Sequence, residues 1–192
     1  MPQDALNELI AGNARYVAGE WNQQDHVPVG PEYVNNQAPV AAVLTCADSR
    51  IAPSLIFDVK TDSLFTVRVA GNTVSEDTLG SVEFAVAVLH VPLIIVLGHQ
   101  NCGAVKAAVD VVNGREGYPP GAIATLVSRV EPAVRALPEG QRTVDECVRA
   151  NALVQAHNLE AQQPIIAPAV AAGTLRVVAA YYDIATGAVT LL

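Results

Sequence analysis

Two short apolar runs set the pattern of the chain. Val40-Ala-Ala-Val-Leu-Thr45 and Leu93-Ile-Ile-Val-Leu97 are continuous and carry several β-branched residues. Neither alternates with polar positions, so each predicts a strand buried on both faces, as in a parallel sheet. Leu64-Phe-Thr-Val-Arg-Val69 and Leu175–Tyr181 predict two more strands, and Ala188–Leu192 a short edge strand. Between them apolar residues return at helical spacing. Leu6, Leu9, Ile10, Ala14 and Val17 mark a helix over 4–17, which Asp4 can cap and Gly19 can end. Val82, Ala85, Val86 and Leu89 mark a helix over 79–90, stopped by Pro92. Helices are also expected after Pro53, over 103–112, over 123–137, over 143–161 and over 164–172 before Gly173. Thr143 and Glu146 have the spacing of a capping box. Residues 113–121 read as a loop. Residues 21–37 are polar and proline-bearing, and read as an extended connection. Residues 1–38 then form a helix and an arm able to dock on a second copy of the chain. The alternation predicts an α/β fold in one domain over 1–192. Its centre is a mostly parallel sheet of four strands plus a short edge strand, flanked by helices, with an N-terminal helical arm.

Composition sharpens this picture. Of 192 residues, 51% are hydrophobic and 16% charged, which suits a packed core and leaves little room for disorder. No apolar run approaches the roughly 20 residues of a membrane span. The mean hydropathy of +0.31 is therefore assigned to buried strands and a subunit interface. A net charge of −8 argues against a nucleic-acid surface. The first residues, Met-Pro-Gln-Asp-Ala-Leu-Asn-Glu, have neither the basic region nor the apolar core of a secretory signal. Three cysteines do not make a disulfide framework. Reduced thiols in the cytoplasm fit better, with two of them used on a metal.

The two central strands both end in reactive side chains. The first delivers Cys46-Ala-Asp48-Ser49-Arg50, the second Gly98-His99-Gln-Asn-Cys102-Gly103. In open parallel sheets the C-terminal strand ends are where ligands bind. Neither stretch makes a site alone, but together they offer Cys46, Asp48, His99 and Cys102 as metal ligands. Thiolate, imidazole and carboxylate are zinc ligands, and the mixed donors favour zinc over magnesium or calcium. A set with a carboxylate as its possible fourth member reads as catalytic, because one position can open to water. Arg50 can hold Asp48 ionised and fixed. Asp48 then either accepts a hydrogen bond from the attacking group or binds the metal itself, and the two states exclude each other. Cys147 sits mid-helix without metal-type neighbours and reads as core. His26, His90 and His157 read as structural or surface residues.

At these residues the chain resembles the β-class carbonic anhydrases. The resemblance rests on Cys46-Ala-Asp48-Ser49-Arg50 and Gly98-His99-Gln-Asn-Cys102-Gly103. Supporting stretches are Phe65-Thr-Val-Arg68-Val-Ala-Gly71-Asn72, Gly80-Ser-Val-Glu83-Phe-Ala-Val and Tyr182-Asp183-Ile-Ala-Thr-Gly187. It implies a zinc enzyme interconverting CO2 and bicarbonate, with Cys46, His99 and Cys102 on zinc and Asp48 and Arg50 as a catalytic dyad. It further implies Gln37 orienting substrate from a neighbouring subunit, Phe65 walling the pocket and Gly103 following the last ligand. The implied assembly is a homodimer or a dimer of dimers. Two alternatives stay open: a carbonyl sulfide or carbon disulfide hydrolase on the same zinc set, and a non-catalytic zinc or bicarbonate-binding scaffold. The dyad argues against the scaffold, since a structural site needs none. Two thiolates offset most of the zinc charge, so activity is expected to rise on the alkaline side of neutral. Members with a bicarbonate-inhibited site carry tryptophan three residues before the first cysteine. Val43 stands there, which argues against that site in this chain.

Overall fold

A computed structural model describes residues 1–22, 30–35 and 37–192. Five strands form one sheet: β1 (Ala41–Thr45), β2 (Leu64–Arg68), β3 (Leu93–His99), β4 (Arg176–Tyr182) and β5 (Val189–Leu191). Their order is β2-β1-β3-β4-β5, the first four parallel and β5 antiparallel to β4. The chain moves from β1 out to β2, then returns across β1 to β3. The crevice between β1 and β3 therefore lies where the direction of winding reverses, the usual ligand position in such sheets.

Helices cover both faces. They are α1 (Pro2–Ala18), α2 (Glu32–Asn35), α3 (Pro53–Ile56), α4 (Glu76–Ala87), α5 (Gly103–Val112), α6 (Ile123–Ala136), α7 (Val144–Glu160) and α8 (Ile166–Ala171). The continuous apolar runs are explained by this double cover. Ala41 and Val43 of β1, with Leu93, Ile95 and Leu97 of β3, pack against Leu6 and Leu9 of α1 and Ile56 of α3. Ala42 and Leu44, with Ile94 and Val96, face the other way onto Val82 and Ala85 of α4 and Ala152 and Leu159 of α7. Each buried aliphatic side chain contributes about 1.5–3 kcal/mol, and strands used on both faces collect this at every residue.

The elements follow the expected order, but α1 starts at Pro2, so Asp4 lies within its first turn and does not cap it, and three further differences stand out. First, α4 starts at Glu76 rather than 79, because Ser75 caps it. Ser75 Oγ accepts from Thr78 N–H (3.4 Å), and Thr78 Oγ1 accepts from Ser75 N–H (2.7 Å). It also ends earlier, at Ala87, and His90 turns out of the helix with φ 57°. Second, β3 runs two residues further than Leu97, pairing Gly98 with Tyr181 and His99 with Tyr182. Third, the connection expected to be extended contains the helical turn α2 after Pro31, whose fixed φ suits a helix start. Residues 23–29, including His26, and residue 36 lie outside the described residues.

Helix α1 is clamped to its own chain. Asn13 Nδ2 donates to Ile56 O (3.0 Å) and Gly187 O (2.8 Å), and Asn13 Oδ1 accepts from Val189 N–H (2.8 Å). Arg15 pairs with buried Asp58 through Nε and Oδ2. Gly12 makes this approach possible, since a Cβ there would sit 1.7 Å from Phe57 O. Helix propensity alone favours Gly12→Ala by about 1 kcal/mol. The clash should reverse that sign and destabilise the protein by about 1–3 kcal/mol in urea or thermal unfolding. A gain in stability would show that α1 is not seated on Phe57.

Candidate metal centre

The centre is built at the ends of β1 and β3. Thr45 faces Leu97 in the ladder, so Cys46 leaves β1 beside the last turn of β3 toward His99. Cys102 follows three residues later as the cap of α5. The two Sγ atoms lie 3.9 Å apart, and the donor atoms of Cys46, His99 and Cys102 all fall within 4.8 Å of one another. Asn101, with φ 52°, makes the tight turn between His99 and Cys102. Asparagine enters this left-handed region more readily than most residues.

The donors are prepared for a cation. His99 Nδ1 lies 3.0 Å from Gln100 O. A carbonyl only accepts, so Nδ1 carries the hydrogen and Nε2 keeps a bare lone pair. Nε2 is fully buried and has no hydrogen-bond partner among the described residues. Such an atom costs about 1–3 kcal/mol unless something takes its lone pair. Cys46 Sγ accepts from Gly71 N–H at 3.4 Å. The hydrogen bond with Cys102 holds the Cys46 thiol well below its ordinary range, helped by His99 and by the N–H groups of Gly71 and Asp48, against the cost of burial. Cys102 is pushed up by the same contact and by burial. The contact lets one thiol donate to the other, and a divalent cation would allow both to ionise. Two sulfurs and one imidazole nitrogen are a donor set that fits zinc.

Asp48 stands beside this group but is held by Arg50. Asp48 Oδ1 accepts from Arg50 N–H (3.0 Å) and Nε (2.9 Å), and Oδ2 accepts from Nη2 (2.8 Å). Oδ2 lies 3.9 Å from His99 Nε2. The Arg50 guanidinium holds the Asp48 carboxyl well below the usual carboxylate range. Arg68, at the end of β2 opposite Thr45, fastens the same loop: Nε donates to Cys46 O (3.2 Å) and Nη2 to Asp48 O (2.6 Å). In the sequence nothing beyond the Phe65–Asn72 stretch ties Arg68 and Gly71 to the centre. Gly71, with φ 76° and close neighbours at Ala104 and Val130, is the one signal that could have marked the turn.

One chain therefore brings Cys46, Asp48, Arg50, His99 and Cys102 together. Gly103 opens α5 directly behind Cys102, with open space where a Cβ would stand. Phe65 lies in β2 opposite Ala42 and stacks on Phe84 at 6.1 Å, in the cluster under α4. Gln37 is exposed and lines a surface cavity with Tyr33, Val34 and Asn35. Neither of these two contacts the donor group. Cys147 is fully buried in the core shared by α5, α6 and α7.

Residues 41–189 match the family model for carbonic anhydrase. The chain belongs to the β-class carbonic anhydrases. A carbonic anhydrase of Mycolicibacterium smegmatis is 39% identical over 195 residues, spanning 99% of this chain and 93% of that one. A Coccomyxa β-carbonic anhydrase solved with acetazolamide matches at TM-score 0.73 and 27% identity, over 99% of this chain and 82% of that one. A tetrameric β-carbonic anhydrase from Sordaria macrospora shares the fold at TM-score 0.74 and 23% identity, over 98% of this chain and 97% of that one. Like the family, this β-class carbonic anhydrase is a carbonate dehydratase, and the family's enzymes use zinc.

The geometry predicts one zinc ion per chain after dialysis, measured by atomic emission. Cys46→Ala, His99→Ala and Cys102→Ala should each lower retention sharply. Cys147→Ala should leave it unchanged, and an equal loss there would dissolve the distinction between donor and core thiols.

Proposed function

We propose that the chain catalyses the reversible hydration of CO2 to bicarbonate and a proton, with zinc held by Cys46, His99 and Cys102. The observation that carries this reading is the carboxylate of Asp48, locked by Arg50 and facing the bare Nε2 of His99 at 3.9 Å. Bound there, zinc supplies the Lewis acidity that makes a water molecule nucleophilic near neutral pH.

The protein's own groups do the rest. A carboxylate offers about four acceptor positions, and Arg50 with its backbone N–H takes three of those on Asp48. The remaining one on Oδ2 can accept the O–H of the attacking group and turn a lone pair toward the carbon of CO2. Because Arg50 fixes both oxygens, this acceptor is oriented before substrate arrives and needs no rearrangement in the transition state. Should Arg50 release it, Asp48 is the group placed to become a fourth ligand and close the site. The buried donors keep bulk water from competing with a small apolar substrate. A site with only a structural task would need neither Asp48 nor Arg50 in this arrangement.

The pH behaviour follows from the dyad. A carboxyl lowered by its partner keeps its ion pair above its unfolded value of about 3.9 and loses it only as pH falls through the lower folded value. Asp48 stays ionised from pH 6.5 to 9, so a midpoint in that range reports the metal site, through its bound water or through exchange of Asp48 from Arg50 to the metal. Stopped-flow CO2 hydration by zinc-loaded protein should rise on the alkaline side of neutral. Asp48→Asn and Arg50→Gln should each lower kcat by roughly a hundredfold or more. A flat profile down to pH 6.5, or full activity in both variants, would sink this assignment. No turnover of CO2 at full zinc occupancy, with turnover of carbonyl sulfide or carbon disulfide, would move the substrate to those molecules.

The working unit in this proposal is a homodimer or a dimer of dimers, in a reducing cytoplasm suited to three unpaired thiols. Support comes from the end of α4, where Phe84 and, just past the helix, Val88 are exposed and Phe84 stacks on Phe65. In that assembly Gln37 orients the neighbour's substrate from across the interface, Phe65 walls the pocket, and residues 1–38 serve as the dimerisation arm. Light scattering should return two or four times the chain mass of 20.1 kDa. Phe84→Glu should lower that mass, and a parent protein that is monomeric at assay concentration would refute the interface.

A further inference from the structure

Helix α7 gives the centre no donor, yet it reaches every part that does. Asp145 in its first turn accepts the Asn101 N–H on Oδ1 at 3.0 Å. Val148 seats α7 against β3, where a Cβ on Gly98 would lie 2.8 Å from Val148 Cγ1. Asn151, fully buried, donates through Nδ2 to Gly71 O (2.9 Å), and Gly71 N–H points at Cys46 Sγ. Gln155 supports Asn151 from the next turn, Nε2 to Oδ1 at 3.2 Å.

The contact at Asn101 rests on a single side chain. The segment between His99 and Cys102 is gripped from two sides. On the β4 side Gln100 N–H donates to Tyr182 O (2.9 Å), and Gln100 Oε1 accepts from Ala185 N–H (3.2 Å). On the α7 side the grip is Asp145. Asn101 is in the left-handed conformation, which costs energy and persists only where its surroundings hold it. That turn swings the chain so that Cys102 meets Cys46 instead of running on past the strand end.

We propose that Asp145 is a positioning residue of the metal centre, holding Asn101 so that His99 and Cys102 converge. This rests on the reading that Cys46, His99 and Cys102 hold zinc. Asp145 acts by accepting the Asn101 N–H, beside its contact with the Tyr181 hydroxyl; its charge is not what the turn needs. Groups that orient ligands in this way typically control metal affinity by ten- to a hundredfold.

The test is zinc affinity of the full chain, read by competition with a chromogenic chelator. The sulfur-to-cobalt charge-transfer absorption of the cobalt-loaded protein reports the geometry at both thiolates. Asp145→Ala should weaken zinc binding by roughly ten- to a hundredfold and alter the cobalt band. Asp145→Asn retains an oxygen acceptor and should stay within about threefold of the parent on both readouts. Parent-like affinity and spectrum in Asp145→Ala overturn the proposal, even if its melting temperature drops. So does an equal loss in Asp145→Asn, because the charge and not the acceptor would then matter. A parent that takes up neither zinc nor cobalt overturns the metal reading itself, and the positioning role with it.

Discussion

Thr45 lies opposite Leu97 in the parallel ladder between β1 and β3, and its hydroxyl crosses the gap to donate to Leu97 O at 2.9 Å. That register decides where Cys46 and His99 emerge. A slip of one residue would turn every side chain of β1 to the opposite face. Ala41 and Val43 would exchange sides with Ala42 and Leu44, and both helical layers would lose their fit. The apolar packing that specifies the register therefore also specifies the donor geometry. The centre inherits its precision from the core beneath it, and the contacts that fasten the two loops complete it.

Placing a thiol pair, an imidazole and a carboxylate in one crevice carries an electrostatic cost, and the structure meets it in separate ways. The negative charge of Asp48 is met by Arg50, with the backbone N–H of Arg50 added. The charge on the sulfurs is met by Gly71 N–H and by the proton the two thiols share. Only the lone pair of His99 Nε2 is left without any partner among the described residues. These are the terms a dication would complete: it would displace the shared proton and take the lone pair, while leaving the Asp48–Arg50 pair intact. Arg68 belongs to the same economy, since it binds the carbonyls of Cys46 and Asp48 and draws no charge from the carboxylate.

Much of this was legible in the sequence, for a physical reason. A strand buried on both faces needs an unbroken apolar run, and a donor at its end interrupts that run visibly. Val40–Thr45 with Cys46, and Leu93–Leu97 with His99, announce themselves in this way. Contacts between distant residues leave no such trace. Gly12 looks like a flaw in a helix until Phe57 O is seen against it. Asp145 looks like an ordinary acidic residue in a first helical turn, yet its acceptor role joins it to Asn101, 44 positions away. The start of α4 is hidden from apolar spacing, which begins only at Leu79, whereas the Ser75–Thr78 cap is a polar signal. Gln37 and Phe65 were singled out through family resemblance alone, and nothing in their local patterns connects them to the donors.

The division of labour that emerges assigns distinct tasks to strands and helices. β1 and β3 present the donors, β2 contributes Arg68 to fasten the first loop, and β4 fastens the second through Tyr182 O. α7 then ties both loops to one rigid body through Asp145 and Asn151. A displacement of α7 by substitution at Gly98 or Val148 would move Asn101 and Gly71 together, and with them Cys102 and the N–H donor to Cys46. The two thiolates would respond as a coupled pair although they come from loops 56 residues apart. Coupling of this kind needs no switch element. It follows from hanging both metal-bearing turns on one helix.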